Sequence, residues 1–218
     1  MQKFAVLLSG SGVFDGSEIH EATLTLYALS KRGVPYEIFA PDMPQHHVVN
    51  HLTGEEMNEK RNVLVESARI ARGNIKALSR FSAGEFDAVI LPGGFGAAKN
   101  LSSFAFKGAE CSVNKEVEKA IRDMVSLGKP VGALCIAPVI LAKILGDVEI
   151  TIGDDAATVE AVTKMGATHR KTTHGQVVID QKYKVFTTPC YMLDATVAQI
   201  GDGAMNLVDA MLKMLQGG

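Results

Sequence analysis

Of the three cysteines in the 218-residue chain, Cys111, Cys135 and Cys190, one stands where a nucleophile would be built. The apolar run Val131-Gly132-Ala133-Leu134 leads into Cys135, alanine stands two residues before it and two after, and Val139 to Leu145 can continue as helix. Small-x-nucleophile-x-small between a strand and a helix is the pattern of a nucleophile elbow, whose sharp turn has no room for large neighbours and pushes the reactive atom into a cleft. A cysteine there also faces a helix N-terminus, where the dipole and free amides favour the thiolate. Buried apolar filler is the common fate of a free cysteine. The strand end, the small flanking residues and the following helix favour the nucleophile at Cys135.

Such a thiol needs hydrogen-bond donors for an oxyanion and a group to carry protons. Leu91-Pro92-Gly93-Gly94-Phe95-Gly96 follows another strand-like run, and adjacent glycines let backbone N–H groups approach a ligand. A plain tight turn is the competing reading. With the amide of Ile136, an N–H from Gly94 completes an oxyanion site, and Gly93 and Asn100 are candidate cleft residues. Glu18 and Glu21, three apart near the start of the first helix, point along one face toward the strand ends. Either could serve as acid/base if burial raises its pKa toward neutrality, and either alone could equally be favourable charge on a first helical turn. The preceding Ser9-Gly10-Ser11-Gly12-Val13-Phe14-Asp15-Gly16 imitates a dinucleotide fingerprint, but Asp15, Glu18 and Glu21 would repel a pyrophosphate.

The remaining candidates are weaker. His47 and His51 are four apart and could share a helix face, yet with His46 they make a solvated polar surface more readily than a metal site, since no third ligand is near. His169 and His174, the only histidines after Cys135, lack the H-x-E arrangement of a hydrolytic triad, which argues against a glutaminase. Cys190 follows a strand and could face the cleft; Cys111 reads as an incidental, exposed thiol.

The elements that must position these groups are legible as alternation. Phe4 to Leu8, a helix from Ser17 to Lys31 ended by Gly33, and Tyr36 to Phe39 form a β-α-β unit. Ala88 to Leu91, a helix over Val113 to Leu127, Val131 to Leu134, Val148 to Ile152, a helix over Asp155 to Met165, a hairpin of Val177 to Ile179 with Val185 to Thr187, and a final apolar-faced helix complete it. The prediction is a three-layer α/β fold, flavodoxin-like, with a mostly parallel sheet, helices on both faces and sites at the carboxyl ends of the strands. Residues 41–84, with a helix expected over Glu55 to Arg72, read as an insertion in a single domain spanning 1–218.

Lys plus Arg number 22 against 24 Asp plus Glu, and 47% of residues are hydrophobic. A net charge of −2 excludes a basic nucleic-acid footprint, the composition is that of a folded chain, and no membrane span is visible. An odd, small number of cysteines favours a reducing, cytoplasmic setting.

Taken together, Leu91-Pro92-Gly93-Gly94, the Cys135 elbow and the carboxylate on the first helix resemble the ThiJ/PfpI superfamily, whose fold is that of class I glutamine amidotransferases. Five stretches, around Gly12–Glu21, Asn50–Glu55, Arg61–Leu64, Pro92–Asn100 and Thr188–Met192, are similar to the ElbB-type isoprenoid-biosynthesis glyoxalases. That resemblance implies a glutathione-independent, cofactor-free and metal-free glyoxalase, a lyase acting on small dicarbonyls such as glyoxal, and a homodimer. It implies Cys135 as nucleophile, Glu21 rather than Glu18 as its partner, and oxyanion donors at Gly94 and Ile136. Ile136 stands where many superfamily members have histidine, which implies low activity. The alternative is a redox or stress sensor using an oxidisable Cys135.

Overall fold

The computed structural model describes residues 2–217. Strand β1 (Phe4–Leu7) starts the sheet and is followed by helix α1 (Ile19–Lys31) and β2 (Tyr36–Ala40). Then come α2 (Val63–Ile70), the two-residue edge strand β3 (Lys76–Ala77), β4 (Ala88–Leu91), two short helices α3 (Phe95–Lys99) and α4 (Phe104–Lys107), α5 (Lys115–Ser126) and β5 (Val131–Leu134). The chain continues through α6 (Pro138–Leu145), β6 (Glu149–Ile150), α7 (Ala156–Lys164), β7 (Thr168–His169), β8 (Val178–Asp180), β9 (Val185–Thr188) and the long α8 (Val197–Gln216). The seven-stranded sheet runs in the order β3-β2-β1-β4-β5-β9-β8, parallel except for the antiparallel β8–β9 edge pair, while β6 and β7 pair separately. This is the flavodoxin-like, amidotransferase-like α/β architecture expected from the alternation.

Both faces of the sheet are covered, and the two-residue period of the strands divides the core. Ala5 and Leu7 of β1, Val89 and Leu91 of β4, and Val131 and Ala133 of β5 pack with Val117, Ile121 and Met124 of α5 and with α6. Phe4, Val6 and Leu8, with Ile90 and Phe186, pack against Leu29 of α1 and Leu207, Val208 and Met211 of α8. Gly132 lets α8 close onto β5: an added Cβ would stand 2.9 Å from both Leu207 Cδ2 and Met211 Sδ. Strands buried on both faces explain why β1 and β4 read as continuous apolar runs.

Residues 41–84 are more than a decoration. They supply α2 and β3, the latter extending the sheet beside β2, and the helix expected from Glu55 begins only at Val63. Isolated bridges Pro44–Asn62 and Val49–Glu56 hold the preceding stretch extended, and the Asn62 side chain accepts the Val65 N–H to cap α2. The i, i+4 spacing of His47 and His51 therefore has no helical meaning. His47 and His46 pack with Phe106, and His51 packs on Phe14 and approaches Asp15.

Candidate active site

The sheet reverses its winding between β1 and β4, and the loops leaving β1, β4, β5 and β9 converge at the carboxyl edge, where such folds place their sites. Cys135 is the first residue past β5, with φ +59°. A non-glycine side chain in this region is uncommon and marks a position held by its surroundings. Two restraints hold it: its N–H donates to Thr188 O at 3.0 Å, and Ala137 N–H donates to Leu134 O at 3.0 Å across the turn. The helix α6 begins at Pro138, one residue earlier than the sequence suggested and at a residue suited to the first helical position.

Gly93 forms the opposite wall. A Cβ there would lie 2.6 Å from Cys135 Cβ and 2.7 Å from Glu21 Oε2, so only glycine lets the β4 loop approach the thiol and carboxyl together. Its N–H is committed to Glu21 Oε2 at 3.0 Å. Gly94, at φ +93°, brings its backbone close enough to Cys135 to oppose the rise of the thiol pKa, and the Ile136 N–H has no protein acceptor among the described residues. Both residues line the cavity beside Cys135.

Of the two candidate carboxylates, Glu21 is the one on the thiol. It is fully buried, lies beside Cys135 across Gly93, and accepts the Gly93 N–H and the Tyr191 N–H, the latter at 3.3 Å. Burial first and the neighbouring Glu18 second push its pKa from 4.5 to about 8, against the opposing pull of those hydrogen bonds. Burial likewise pushes the Cys135 thiol up, reinforced by Glu21 and Cys190. At neutral pH the pair therefore rests mostly as thiol and carboxylic acid. Glu18 caps α1 by accepting the Glu21 N–H at 2.7 Å and also lines the cavity.

Beside the thiol lies a cavity of about 410 Å³ walled by Val13, Phe95, Phe104, Ile136 and Met192, with Glu18, Tyr191, Asp155 and Thr158 as its polar groups. Among the described residues no cationic side chain lines it. Its walls are mostly apolar, as in pockets for small organic ligands.

Other sequence candidates land elsewhere. Asn100 is not in the cleft: it is buried, donates to Ser9 O and Asp15 O at 2.9 Å each, and accepts the His46 N–H at 2.9 Å. It pins the glycine loop after β1 to residues 44–62. That loop is closed on itself, since a Cβ on Gly16 would meet Ser11 N at 2.2 Å, which leaves no phosphate cradle. Cys190, also left-handed at φ +43°, sits behind the cavity wall beside Thr188 and Gly203 of α8. Cys111 is buried, 3% exposed, not surface-exposed as its polar neighbours implied. Among the described residues no three His, Cys, Asp or Glu side chains group as a metal site. The sequence reading missed Tyr191 and the cavity's aromatic walls; the signal for Tyr191 was its place next to Cys190, just past β9 at the same sheet edge as Cys135.

A parallel α/β sheet with a left-handed cysteine at the end of a central strand, gripped by a carboxyl from the first helix, defines a class of cysteine-elbow proteins on an amidotransferase-like fold. The chain belongs to the DJ-1/PfpI family, whose model matches residues 12–195. It is 48% identical over 222 residues to the Homo sapiens glutamine amidotransferase-like class 1 domain-containing protein 3, mitochondrial, covering 97% of this chain and 83% of that protein. The crystal structure of an isoprenoid biosynthesis protein with amidotransferase-like domain from Ehrlichia chaffeensis matches with a TM-score of 0.93 at 35% identity, covering 99% of this chain and all of that one. Drosophila melanogaster DJ-1beta, 17% identical with a TM-score of 0.56 over 99% of this chain and 97% of that one, shares the fold.

Proposed function

We propose that the protein is a cysteine-dependent, cofactor-independent glyoxalase that converts 2-oxoaldehydes to 2-hydroxyacids, glyoxal to glycolate in the simplest case. The observation that carries this reading is the buried Cys135–Glu21 pair opening onto an apolar cavity with the amides of Gly94 and Ile136 beside the sulfur. Family membership and the isoprenoid-biosynthesis name of a 35%-identical relative are consistent with it.

Glu21 takes the thiol proton as Sγ bonds to the aldehyde carbon, C1, and the carbonyl pair moves onto O1, where the two amides receive it. The same proton passes from Glu21 to O1, giving a neutral hemithioacetal and restoring the carboxylate. Glu21 then removes the hydrogen of C1; the C–H pair becomes a C1=C2 bond and the C2 carbonyl pair moves onto O2, which is protonated. Return of the proton from Glu21 to C2, with loss of the O1 proton, leaves a thioester. Water adds to C1, the C–S bond breaks, and the hydroxyacid departs as the thiol regains a proton. A carboxylate with a pKa of about 8 is a stronger base for this carbon acid than an ordinary glutamate.

Glutamine hydrolysis is less well served, because no histidine lines the cavity beside Cys135. The test compares glycolate formation from glyoxal, and ammonia release from glutamine, by the wild type, Cys135→Ala and Glu21→Gln. Loss of glycolate in the first variant and a fall of about 10²-fold or more in the second, with no ammonia from any, is the expected pattern. Equal glycolate from all three proteins would eliminate the glyoxalase and leave the oxidisable-thiol sensor as the working account.

A further inference from the structure

The mechanism leaves one proton without a protein donor: the one that O2 acquires when the C1 hydrogen is removed. Glu21 is occupied with carbon at that moment, and Ile136 follows the nucleophile where a histidine would otherwise be at hand. Tyr191 lines the same cavity as Cys135, and its backbone N–H is bonded to Glu21, so its position is tied to the reacting pair. Its hydroxyl lies 2.7 Å from His20 Nδ1, and the two rings pack at a centroid distance of 5.9 Å. His20 is exposed to solvent, and its Nδ1 stands 4.0 Å from Glu18 Oε1.

We infer that Tyr191 and His20 form a relay that carries a proton from solvent to the C2 oxygen of the bound substrate, with Tyr191 as a catalytic acid and His20 as the residue that positions and recharges it. The inference rests on the glyoxalase reading of the site. With a hydrogen on Nδ1, His20 donates to the Tyr191 oxygen and turns the phenolic hydrogen toward the cavity. As Glu21 takes the C1 hydrogen, the C2 carbonyl pair moves onto O2 and captures the Tyr191 proton. The phenolate recovers a proton from His20, and the ring recovers one from water; the proton later lost from O1 returns to water, so the exchange balances. Burial, with Glu18, Glu21 and Cys190 nearby, keeps the Tyr191 hydroxyl protonated, as an acid must be before it acts. The groups that face the relay are Glu18 and Glu21 from the start of α1 and Cys190 from the β9 end.

The test uses Tyr191→Phe and His20→Asn in the full chain. Tyr191→Phe is expected to lower kcat about 10²-fold with KM little changed. His20→Asn is expected to lower kcat by about tenfold with KM little changed, and to lower it no further when added to Tyr191→Phe, because the two residues act as one unit. A kcat for Tyr191→Phe within twofold of wild type, while Cys135→Ala is inactive, overturns the relay and leaves the glyoxalase standing. If the wild type makes no hydroxyacid, the parent reading has failed. The relay is then judged by calorimetric binding of glycolohydroxamate, an enediolate mimic whose oxygens need the same donor. Weaker binding of at least tenfold by Tyr191→Phe supports the donor role, and equal binding refutes it.

Discussion

Replacing Glu21 with glutamine should change how stability depends on pH more than it changes stability itself. In the folded chain the carboxyl ionises at about 8, whereas in the unfolded chain it returns to its ordinary 4.5. Below 4.5 both states carry the proton and burial of the neutral acid is unpenalised. Above 4.5 the unfolded chain releases the proton and the folded chain retains it, so stability falls with rising pH until the folded group also ionises at about 8. The gap between 4.5 and about 8, at about 1.36 kcal/mol per pH unit, comes to ~5 kcal/mol. Cys135 adds nothing in this window, because its thiol is pushed up from 9.0 and stays protonated in both states. Glutamine at 21 keeps a donor toward Cys135 but can accept only one of the two amides that Glu21 serves, at a cost of about 1 kcal/mol. Urea unfolding at intervals from pH 4.5 to 8.5 should therefore show Glu21→Gln slightly less stable at the acid end. The curves should cross between about pH 5 and 6, with the variant ahead by several kcal/mol at pH 8. Parallel curves for the two proteins would refute the claim that this carboxyl is held protonated by burial.

Other consequences follow from the same geometry. If ionised Glu21 is the base that activates the thiol, the hydroxyacid-forming rate should rise with pH through about 8; a rate already flat between pH 6 and 9 would contradict this. Gly93→Ala should force apart the elbow and the carboxyl, since the new Cβ would lie 2.6 Å from Cys135 Cβ. Its expected signature is activity reduced at least tenfold and stability lowered by about 1–3 kcal/mol, and wild-type activity with unchanged melting would count against the site. Asn100→Ala should lower stability by ~3 kcal/mol by leaving buried groups unpaired, and should expose residues 44–62 to proteolysis. Ala98→Leu, which narrows the cavity, should raise KM for phenylglyoxal severalfold and that for glyoxal little; equal effects on both would show that the substituent does not bind there.

Much of this site could be read before any coordinates because backbone geometry dictated it. A cysteine between small residues at a strand end, and paired glycines at a neighbouring strand end, are demands of close approach that few residue types satisfy. The choice between Glu18 and Glu21 was harder, since both lie on one face near the helix start. It is decided by which residue is the cap, and Glu18 takes that role with the Glu21 N–H. Tyr191 and His20 were invisible as a pair because 171 residues separate them and only the contact of the segment after β9 with the start of α1 joins them. Asn100 looked like a cleft residue beside the glycines, but a buried amide that serves two loop carbonyls is a structural clasp whose partners lie far off in sequence. The helix expected from Glu55 failed for a related reason: bridges to Val49 and Pro44 overrode local propensity, and the cap at Asn62 set the start.

The central claim is that carbon chemistry takes place on the sulfur of Cys135. Acid quenching of the wild type during turnover of glyoxal, followed by digestion and mass spectrometry, reads this directly. The account predicts a hydroxylamine-sensitive glycolyl thioester on Cys135 that forms and decays at rates able to support glycolate production, and that accumulates less in Glu21→Gln. Adducts confined to lysine and arginine side chains, with glycolate still formed by Cys135→Ala, would contradict it.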